Sequence, residues 1–194
     1  MHTNSVAIFR KIVLPLFRSG IRVLEVGGRA AIRDYQEAAQ EQGYTGLAWT
    51  LCDLSNADFG QAAVVEMIDE ESIGSADNIY DVVLSGQTIE HVKRPWLWVP
   101  ELARVCRPGG FLALIAPVSW GYHRAPIDCW RFQPDGMKVL LDEAGLTAER
   151  IAVQSLTATK REEKCQINPG PVWDIVAIGR KPATDGQQND ADED

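Results

Sequence analysis

The chain has 194 residues, of which 45% are hydrophobic, and a net charge of −8. This length and composition predict one domain with a proper core, over residues 1–181. The sequence disfavours nucleic acid as a partner because no basic stripe is present, and no apolar run is long enough to span a membrane. The four cysteines form neither a zinc signature nor a disulfide framework, so we expect free thiols and no metal. Residues 1–18 show no cleavable signal pattern, so we expect a soluble cytoplasmic protein.

The acidic tail, residues 182–194, contains five carboxylates among Gln, Asn and Gly. A segment of this composition cannot bury enough apolar surface to fold, so we expect it to be disordered. At the other end, residues 6–18 combine basic and apolar residues in an amphipathic pattern. The pattern predicts a helix that packs on a sheet, and a peripheral membrane anchor is the alternative. Oligomeric state is left open.

Strands and helices then alternate along the chain. The predicted strands are 21–26, 44–51, 63–68, 81–85, 111–116, 149–155 and 172–179, and the predicted helices are 31–42, 55–62, 98–105 and 134–144. Such alternation indicates an α/β fold with a mainly parallel sheet and helices on both faces. Ligands bind such sheets at the carboxyl ends of the strands, so the residues just past each strand are the functional candidates.

The first strand ends in a carboxylate and two glycines. Val23–Val26 is apolar on both faces except for Glu25, and Gly27 and Gly28 let the backbone turn close to a ligand. We expect Glu25 to lie where the strand opens into solvent. A fixed carboxylate repels a pyrophosphate but suits a cation, so it favours S-adenosylmethionine, with its α-ammonium, over a dinucleotide.

Five motifs in order extend this interpretation. They are Val23-Leu24-Glu25-Val26-Gly27-Gly28-Arg29, Tyr80-Asp81-Val82-Val83-Leu84-Ser85, Ile89-Glu90-His91-Val92, Arg104-Val105-Cys106-Arg107-Pro108-Gly109-Gly110-Phe111 and Asp128-Cys129-Trp130-Arg131-Phe132. Over Ile21 to Gly179 the chain resembles a class I S-adenosylmethionine-dependent methyltransferase of the type 11 branch. The resemblance implies a Rossmann-like, doubly wound, seven-stranded sheet with an antiparallel last strand. It also implies transfer of a methyl group to a small hydroxyl-bearing acceptor, such as a sugar or polysaccharide precursor, with O-methylation favoured.

The resemblance also assigns cofactor contacts. In the family, an acid at the end of the second strand binds the ribose hydroxyls of the cofactor. The family's usual spacing from Glu25 gives Ala48, whose side chain cannot accept a hydrogen bond. Asp53 takes this position if the second strand runs a few residues longer. Asp53 is favoured, with N-capping of the next helix as its alternative. Asp69 would bind the adenine amine, or is simply a solvated acid. Gln87, after the fourth strand, is a further candidate cofactor contact.

The glycine loop departs from the family pattern, because Arg29 and Ala31 stand where typical members have glycine. Arg29 would pair with the methionyl carboxylate of the cofactor. The alternative is an ion pair with Asp34 or Glu25.

The catalytic candidates are two histidines. His123, after the fifth strand, is the favoured general base for a hydroxyl acceptor, since a histidine titrates near neutral pH. His91 would lie under the methionine end of the cofactor. Each has a structural alternative, a turn residue for His123 and a packing residue for His91.

The acceptor candidates are Asp128, Trp130 and Arg131, an acid and a planar cation around an aromatic ring, as expected at a sugar site. Their structural alternative is an Asp128–Arg131 ion pair that fixes the loop, with Trp130 in the core.

Two rival functions belong to other classes. A nicotinamide-dependent oxidoreductase shares the strand-loop-helix opening, but the full GxGxxG motif is missing and Glu25 disfavours it. A catalytically inactive methyltransferase-like binding module is the second rival, supported by Ala48, Arg29 and Ala31.

Overall fold

The computed structural model describes residues 3–27, 34–53, 63–69, 71–124, 126–157 and 172–184. Within these residues the α-helices are Thr3–Ile8 (α1), Asp34–Glu41 (α2), Pro95–Val105 (α3) and Pro134–Glu143 (α4). The strands are Arg22–Val26 (β1), Ala48–Asp53 (β2), Ala63–Asp69 (β3), Ser72–Ile73 (β4), Tyr80–Gly86 (β5), Cys106–Pro117 (β6), Thr147–Gln154 (β7) and Asp174–Arg180 (β8). Short 3-10 helices cover Leu14–Leu16 and Ile89–His91.

The strands form one mixed sheet in the order β4-β3-β2-β1-β5-β6-β8-β7. β1 pairs in parallel with β2 and β5, and the parallel pairing continues from β2 to β3 and from β5 to β6. β8 inserts between β6 and β7 and is antiparallel to both. The predicted α/β class and antiparallel last strand are therefore confirmed.

The described sheet has one strand more than the seven predicted. The addition is β4, which pairs antiparallel with the end of β3 through Met67 with Ile73 and Asp69 with Ser72. Two residues are too few to show the alternation by which a strand is recognised in a sequence. β4 extends the sheet at its edge without changing the order of the other seven strands.

Each face of the sheet has its own hydrophobic cluster. On one face, α3 and α4 bury Trp98, Leu102 and Leu141 against the strands. On the other face, the N-terminal helical segment and α2 bury Phe9 and Tyr35. The sheet is thus covered by helices on both sides, as the alternating pattern predicted.

The N-terminal helical segment covers residues 3–16 rather than 6–18. It passes from α1 into a π-helix over Phe9–Val13 and then into the 3-10 helix that contains Pro15. Ile8 and Phe9 are fully buried within the protein, while Arg10 is exposed. This supports packing on the sheet rather than a membrane anchor. No described helix has the length and apolarity needed to cross a membrane.

The bounds of β2 and β6 differ most from the prediction. β2 begins and ends later than predicted, because the turn after α2 covers Gln42 and Gly43 and the chain is irregular from Tyr44 to Leu47. β6 begins at Cys106, earlier than predicted, and its pairing with β5 shifts register before Phe111. Gly109 has φ +75° in this irregular stretch. The predicted helix 55–62, residues 31–33 of the predicted helix 31–42, and residues 185–194 of the tail lie outside the described residues.

Candidate cofactor and acceptor site

Gly27 begins the loop at the carboxyl end of β1. Its φ is +80°, and its N–H donates to the carbonyl of Cys52 at 2.7 Å, which continues the pairing with β2. A Cβ atom on this residue would lie 2.1 Å from Oγ1 of Thr88. Both the backbone conformation and the contact therefore require glycine. Gly28 and Arg29, the other predicted loop contacts, lie outside the described residues.

Glu25 is not open to solvent, and this part of the prediction is wrong. The residue is 2% exposed, and its Oε2 accepts a hydrogen bond from Trp49 Nε1 at 2.9 Å. The parallel register sets Glu25 level with Leu51, within β1 rather than beyond it. Burial raises the pKa of Glu25 to about 7. Its contact with a cofactor ammonium stays a prediction.

The two candidates for the ribose acid lie at opposite ends of β2. Ala48 pairs with Arg22 at the amino end, whereas Cys52 pairs with Val26 and Asp53 follows it at the carboxyl end. Asp53 is half-buried and is level with the start of the glycine loop. The fold therefore sets Asp53, and not Ala48, at the edge where parallel sheets bind ligands.

Asp69 ends β3 and is exposed. Asp53 pairs with Glu66, so β3 runs three residues beyond the end of β2. The Oδ1 atom of Asp69 accepts the backbone N–H of Glu71 at 2.7 Å, which stabilises the turn into β4. The residue thus has a structural role in this hairpin, and its predicted adenine contact stays untested.

Gln87 has a left-handed backbone at the end of β5, with φ 57°. Its N–H donates to the carbonyl of Ile115 at 2.8 Å, and its side-chain amide donates to Asp174 Oδ1 at 3.2 Å. Asp174 is fully buried and also accepts Asn4 Nδ2 at 2.7 Å. The N-terminus of α1 is therefore joined through Asp174 to a strand end at the carboxyl edge.

Two residues of the 3-10 helix after β5, Glu90 and His91, point into a crowded interior. Glu90 is fully buried, and neither of its carboxylate oxygens has a hydrogen-bond partner from another residue in the described part of the chain. Burial raises the pKa of Glu90 to about 7 and lowers the pKa of His91. His91 Nδ1 contacts the carbonyl of Ile127, and its Nε2 lies 3.7 Å from Glu90 Oε1.

The fold brings the two predicted catalytic histidines together. The rings of His91 and His123 are 4.9 Å apart at an angle of 82°. His123 Nδ1 lies 3.2 Å from the carbonyl of Gly121, and its side chain is 36% exposed. His123 therefore lies between His91 and solvent, which is a suitable place for an acceptor contact.

Asp128 and Arg131 form the ion pair that was their structural alternative. The guanidinium donates to both carboxylate oxygens of Asp128, at 2.5 and 2.8 Å, and to the carbonyls of Trp120 and Gly121, each at 3.0 Å. Asp128 also accepts the backbone N–H of His123 at 2.7 Å. Burial alone would raise the pKa of Asp128, but these hydrogen bonds lower it. The pair holds the loop that carries His123, and direct contact of either residue with an acceptor stays a prediction.

Trp130 is half-buried and faces the start of α3. Its indole N–H donates to the carbonyl of Val92 at 2.8 Å, and its ring meets that of Trp96 edge-on, with centroids 6.0 Å apart. Trp96 is 49% exposed. The backbone N–H of Trp130 also donates to the carbonyl of Glu90, at 3.3 Å. This links the loop after β6 to the 3-10 helix that bears His91.

The sequence did not predict that the carboxylates of Glu25 and Glu90 are buried. It assigned no role to Glu90, although this residue directly precedes His91, and it predicted no metal. In the fold, one potential ligand atom from each of Glu90, His91 and His123 lies within 4.8 Å of the others. Trp49, the partner of Glu25, was also missed: it pairs with Val23 in the parallel register, and its indole N–H reaches Glu25 two residues further along β1.

Comparison with known proteins bears on this site. The family model of a methyltransferase domain, type 11, matches residues 35–114. The 27-O-demethylrifamycin SV methyltransferase of Amycolatopsis mediterranei is 32% identical over 112 residues, which are 53% of this chain and 40% of the relative. Over residues 35–114 the chain resembles the methyltransferase domain family. The resemblance to the S-adenosylmethionine-dependent class that the sequence predicts is thus confirmed.

A second relative matches a shorter stretch of this chain at higher identity. An uncharacterized methyltransferase of Mycobacteroides abscessus is 47% identical over 45 residues, 23% of this chain and 17% of the relative. The chain spans less than half the length of the curated relatives that it matches.

Solved structures of methyltransferases share the fold of this chain. A SAM-dependent methyltransferase of Methanosarcina mazei aligns with TM-score 0.68 at 15% identity, over 90% of this chain and 98% of that one. A phosphoethanolamine N-methyltransferase of Haemonchus contortus, in complex with S-adenosyl-L-methionine, aligns with TM-score 0.65 at 16% identity, over 92% and 52%. At sequence identities this low, the structural similarity shows a shared fold and nothing further.

Proposed function

We propose that this methyltransferase binds S-adenosylmethionine at the carboxyl edge of its sheet and transfers the methyl group to a small hydroxyl-bearing acceptor. The observation that carries the proposal is the convergence of Gly27, Asp53 and Gln87 at the ends of the adjacent strands β1, β2 and β5. Ligands of parallel sheets bind at this edge. Membership of the family supports the identity of the cofactor.

The orientation of the cofactor follows from the strand order. Asp53 would accept hydrogen bonds from the ribose hydroxyls, and Asp69, farther along the sheet, would bind the adenine amine. Gly27, with Gly28 and Arg29, would approach the methionyl part, and Glu25 would act on its ammonium from within the sheet. The methyl group then faces the loop after β5, toward Gln87 and His91.

The acceptor would enter beside His123, on the side of the carboxyl edge where the loop after β6 begins. Methyl transfer depends on alignment of the nucleophile with the sulfonium, and a hydroxyl nucleophile must also lose its proton. We propose that the His91–His123 pair promotes this loss. Asp128 and Arg131 hold His123 in place, and Trp130 flanks the pocket for an acceptor such as a sugar. The relative that acts on 27-O-demethylrifamycin SV is consistent with O-methylation.

The test is cofactor binding by Asp53→Ala. Loss of the ribose contacts should weaken S-adenosylhomocysteine binding by ~2–3 kcal/mol, because hydrogen bonds to a charged group are lost. Asp142→Ala is the matched control, since Asp142 pairs with Lys138 on the surface of α4. Equal affinity of the two variants, measured by calorimetry, would overturn the assignment of Asp53.

A further inference from the structure

Glu90, His91 and His123 form a compact group of three potential metal ligands. One ligand atom from each lies within 4.8 Å of the others. The group joins two separate segments, the 3-10 helix after β5 and the loop after β6. These segments are held together by the backbone N–H of Cys129, which donates to the carbonyl of Glu90 at 2.8 Å.

In both histidine rings the Nδ1 atom faces a backbone carbonyl. A carbonyl only accepts hydrogen bonds, so in the neutral rings the Nδ1 atoms that face the carbonyls of Ile127 and Gly121 carry the hydrogen. The lone pair of each ring is then at Nε2. Metal-bound histidines commonly donate their second ring N–H to a backbone carbonyl in this way. Asp128 Oδ2, 3.4 Å from His123 Nδ1, adds a negative charge behind that ring.

Glu90 supplies the independent observation. A fully buried carboxylate without a hydrogen-bond partner is costly, and buried polar groups are nearly always satisfied. Glu90 is fully buried, and both its oxygens lack such a partner from another residue among the described ones. His91 Nε2 lies 3.7 Å from Glu90 Oε1. A cation between the carboxylate and the two imidazoles would satisfy all three.

We propose that Glu90, His91 and His123 bind a divalent transition-metal ion. Two imidazole nitrogens and one carboxylate oxygen are a donor set that suits Zn²⁺, and three protein ligands leave a coordination position open. His123 is the most exposed member, so the open position faces the loop after β6.

The metal ion would activate the acceptor hydroxyl for methyl transfer, and this part of the proposal rests on the proposed function. The acceptor hydroxyl would occupy the open position, where the cation lowers its pKa and its proton passes to water. The resulting alkoxide oxygen would attack the methyl carbon of the sulfonium. The carbon–sulfur bond breaks with its electron pair going to sulfur, giving a methyl ether and a neutral thioether. His123 is then a ligand rather than the general base predicted from the sequence.

Calorimetry with Zn²⁺ tests the site in the full-length chain, after treatment with a chelator and without cofactor or acceptor. The wild type should bind one Zn²⁺, and His91→Ala, His123→Ala and Glu90→Gln should each weaken binding by at least about tenfold. His2→Ala and Glu149→Gln are the matched controls and should bind as the wild type does. Circular dichroism checks that each variant is folded.

Absence of one-to-one binding in the wild type, or unchanged binding in His123→Ala, would overturn the metal site. The proposed function is tested separately, by binding of S-adenosylhomocysteine. Zn²⁺ binding without S-adenosylhomocysteine binding would support the metal site and overturn the proposed function. Binding of S-adenosylhomocysteine without binding of Zn²⁺ would overturn the metal site and leave the proposed function standing.

Discussion

Gly27 combines two constraints that a variant series can separate. Its left-handed backbone disfavours any side chain, and a Cβ atom would also overlap Thr88. Gly20 has nearly the same φ, +81° against +80°, and a Cβ atom added there would have no neighbour within 4 Å. A comparison of alanine variants at Gly20 and Gly27 therefore separates the cost of the contact with Thr88 from the cost of the left-handed backbone.

Gly20→Ala should lower the free energy of unfolding by ~1–2 kcal/mol, the cost of a left-handed alanine. Gly27→Ala should lower it further, because Thr88 must also move. Urea unfolding measures both. Equal losses in the two variants would show that the loop adjusts freely around Thr88.

Glu25 makes stability depend on pH. Burial raises its pKa from the ordinary value of 4.5 to about 7 in the folded protein, so the folded state binds the proton more tightly than the unfolded state. Stability is highest while the group is protonated in both states and falls as pH rises from 4.5 to 7. The contribution is about 3 kcal/mol at most.

Glu25→Gln should remove this dependence while keeping an oxygen that accepts the Trp49 hydrogen bond. Its stability relative to the wild type should therefore rise between pH 4.5 and 8, as measured by urea unfolding at several pH values. Glu149→Gln is the control, because the Glu149 side chain is 45% exposed. A constant difference between Glu25→Gln and wild type across this range would show that Glu25 is not buried as a carboxyl group.

The loop after β6 is ordered by one ion pair rather than by regular secondary structure. Asp128 accepts the N–H of His123 and both guanidinium nitrogens of Arg131, so it joins the two ends of the segment 123–131. Asp128→Ala should speed hydrogen exchange at the His123 amide by about tenfold or more, the equivalent of a lost hydrogen bond to a charged group. Mass spectrometry or NMR measures this exchange.

Asp142→Ala provides the comparison, since it removes an exposed i,i+4 pair with Lys138 that should contribute little. If exchange at His123 is the same in both variants, the ion pair does not order this loop.

At the scale of elements, periodicity predicted the fold better than the site. Buried strands such as Asp81–Ser85 and helices such as α4 follow local patterns, so their places could be predicted from the sequence. The pairing of β4, by contrast, depends on two residues at a turn. Position after a strand was sufficient to predict that Gly27 and Asp53 lie at the carboxyl edge, and their cofactor contacts stay predictions. Contacts between distant segments, such as Glu25 with Trp49 or His91 with His123, depend on register and loop path, which no local pattern specifies.

For the whole molecule, the acidic tail and the residue before it have different expected effects. Deletion after Lys181 removes five carboxylates and changes the net charge from −8 to −3. We expect the melting temperature to change little, because such a segment buries little apolar surface.

Lys181 itself should matter more than the tail. Its ammonium donates to the carbonyls of Ala103 and Cys106, at 2.7 and 2.8 Å, where α3 passes into β6. Lys181→Met should cost ~1–3 kcal/mol, because these carbonyls lose a charged donor. Thermal unfolding of the tail-deleted chain and of Lys181→Met compares the two effects. A larger loss from the deletion than from Lys181→Met would show that the tail stabilises the domain.

The identity of the cofactor is the central claim, and calorimetry tests it most directly. The full chain is titrated in parallel with S-adenosylhomocysteine, NAD and NADP, because the rival oxidoreductase and the inactive module predict different outcomes. We predict one-to-one binding of S-adenosylhomocysteine, weakened in Asp53→Ala and unchanged in Asp142→Ala, with no binding of either dinucleotide. Tight binding of NAD or NADP, with no heat from S-adenosylhomocysteine, would contradict the account.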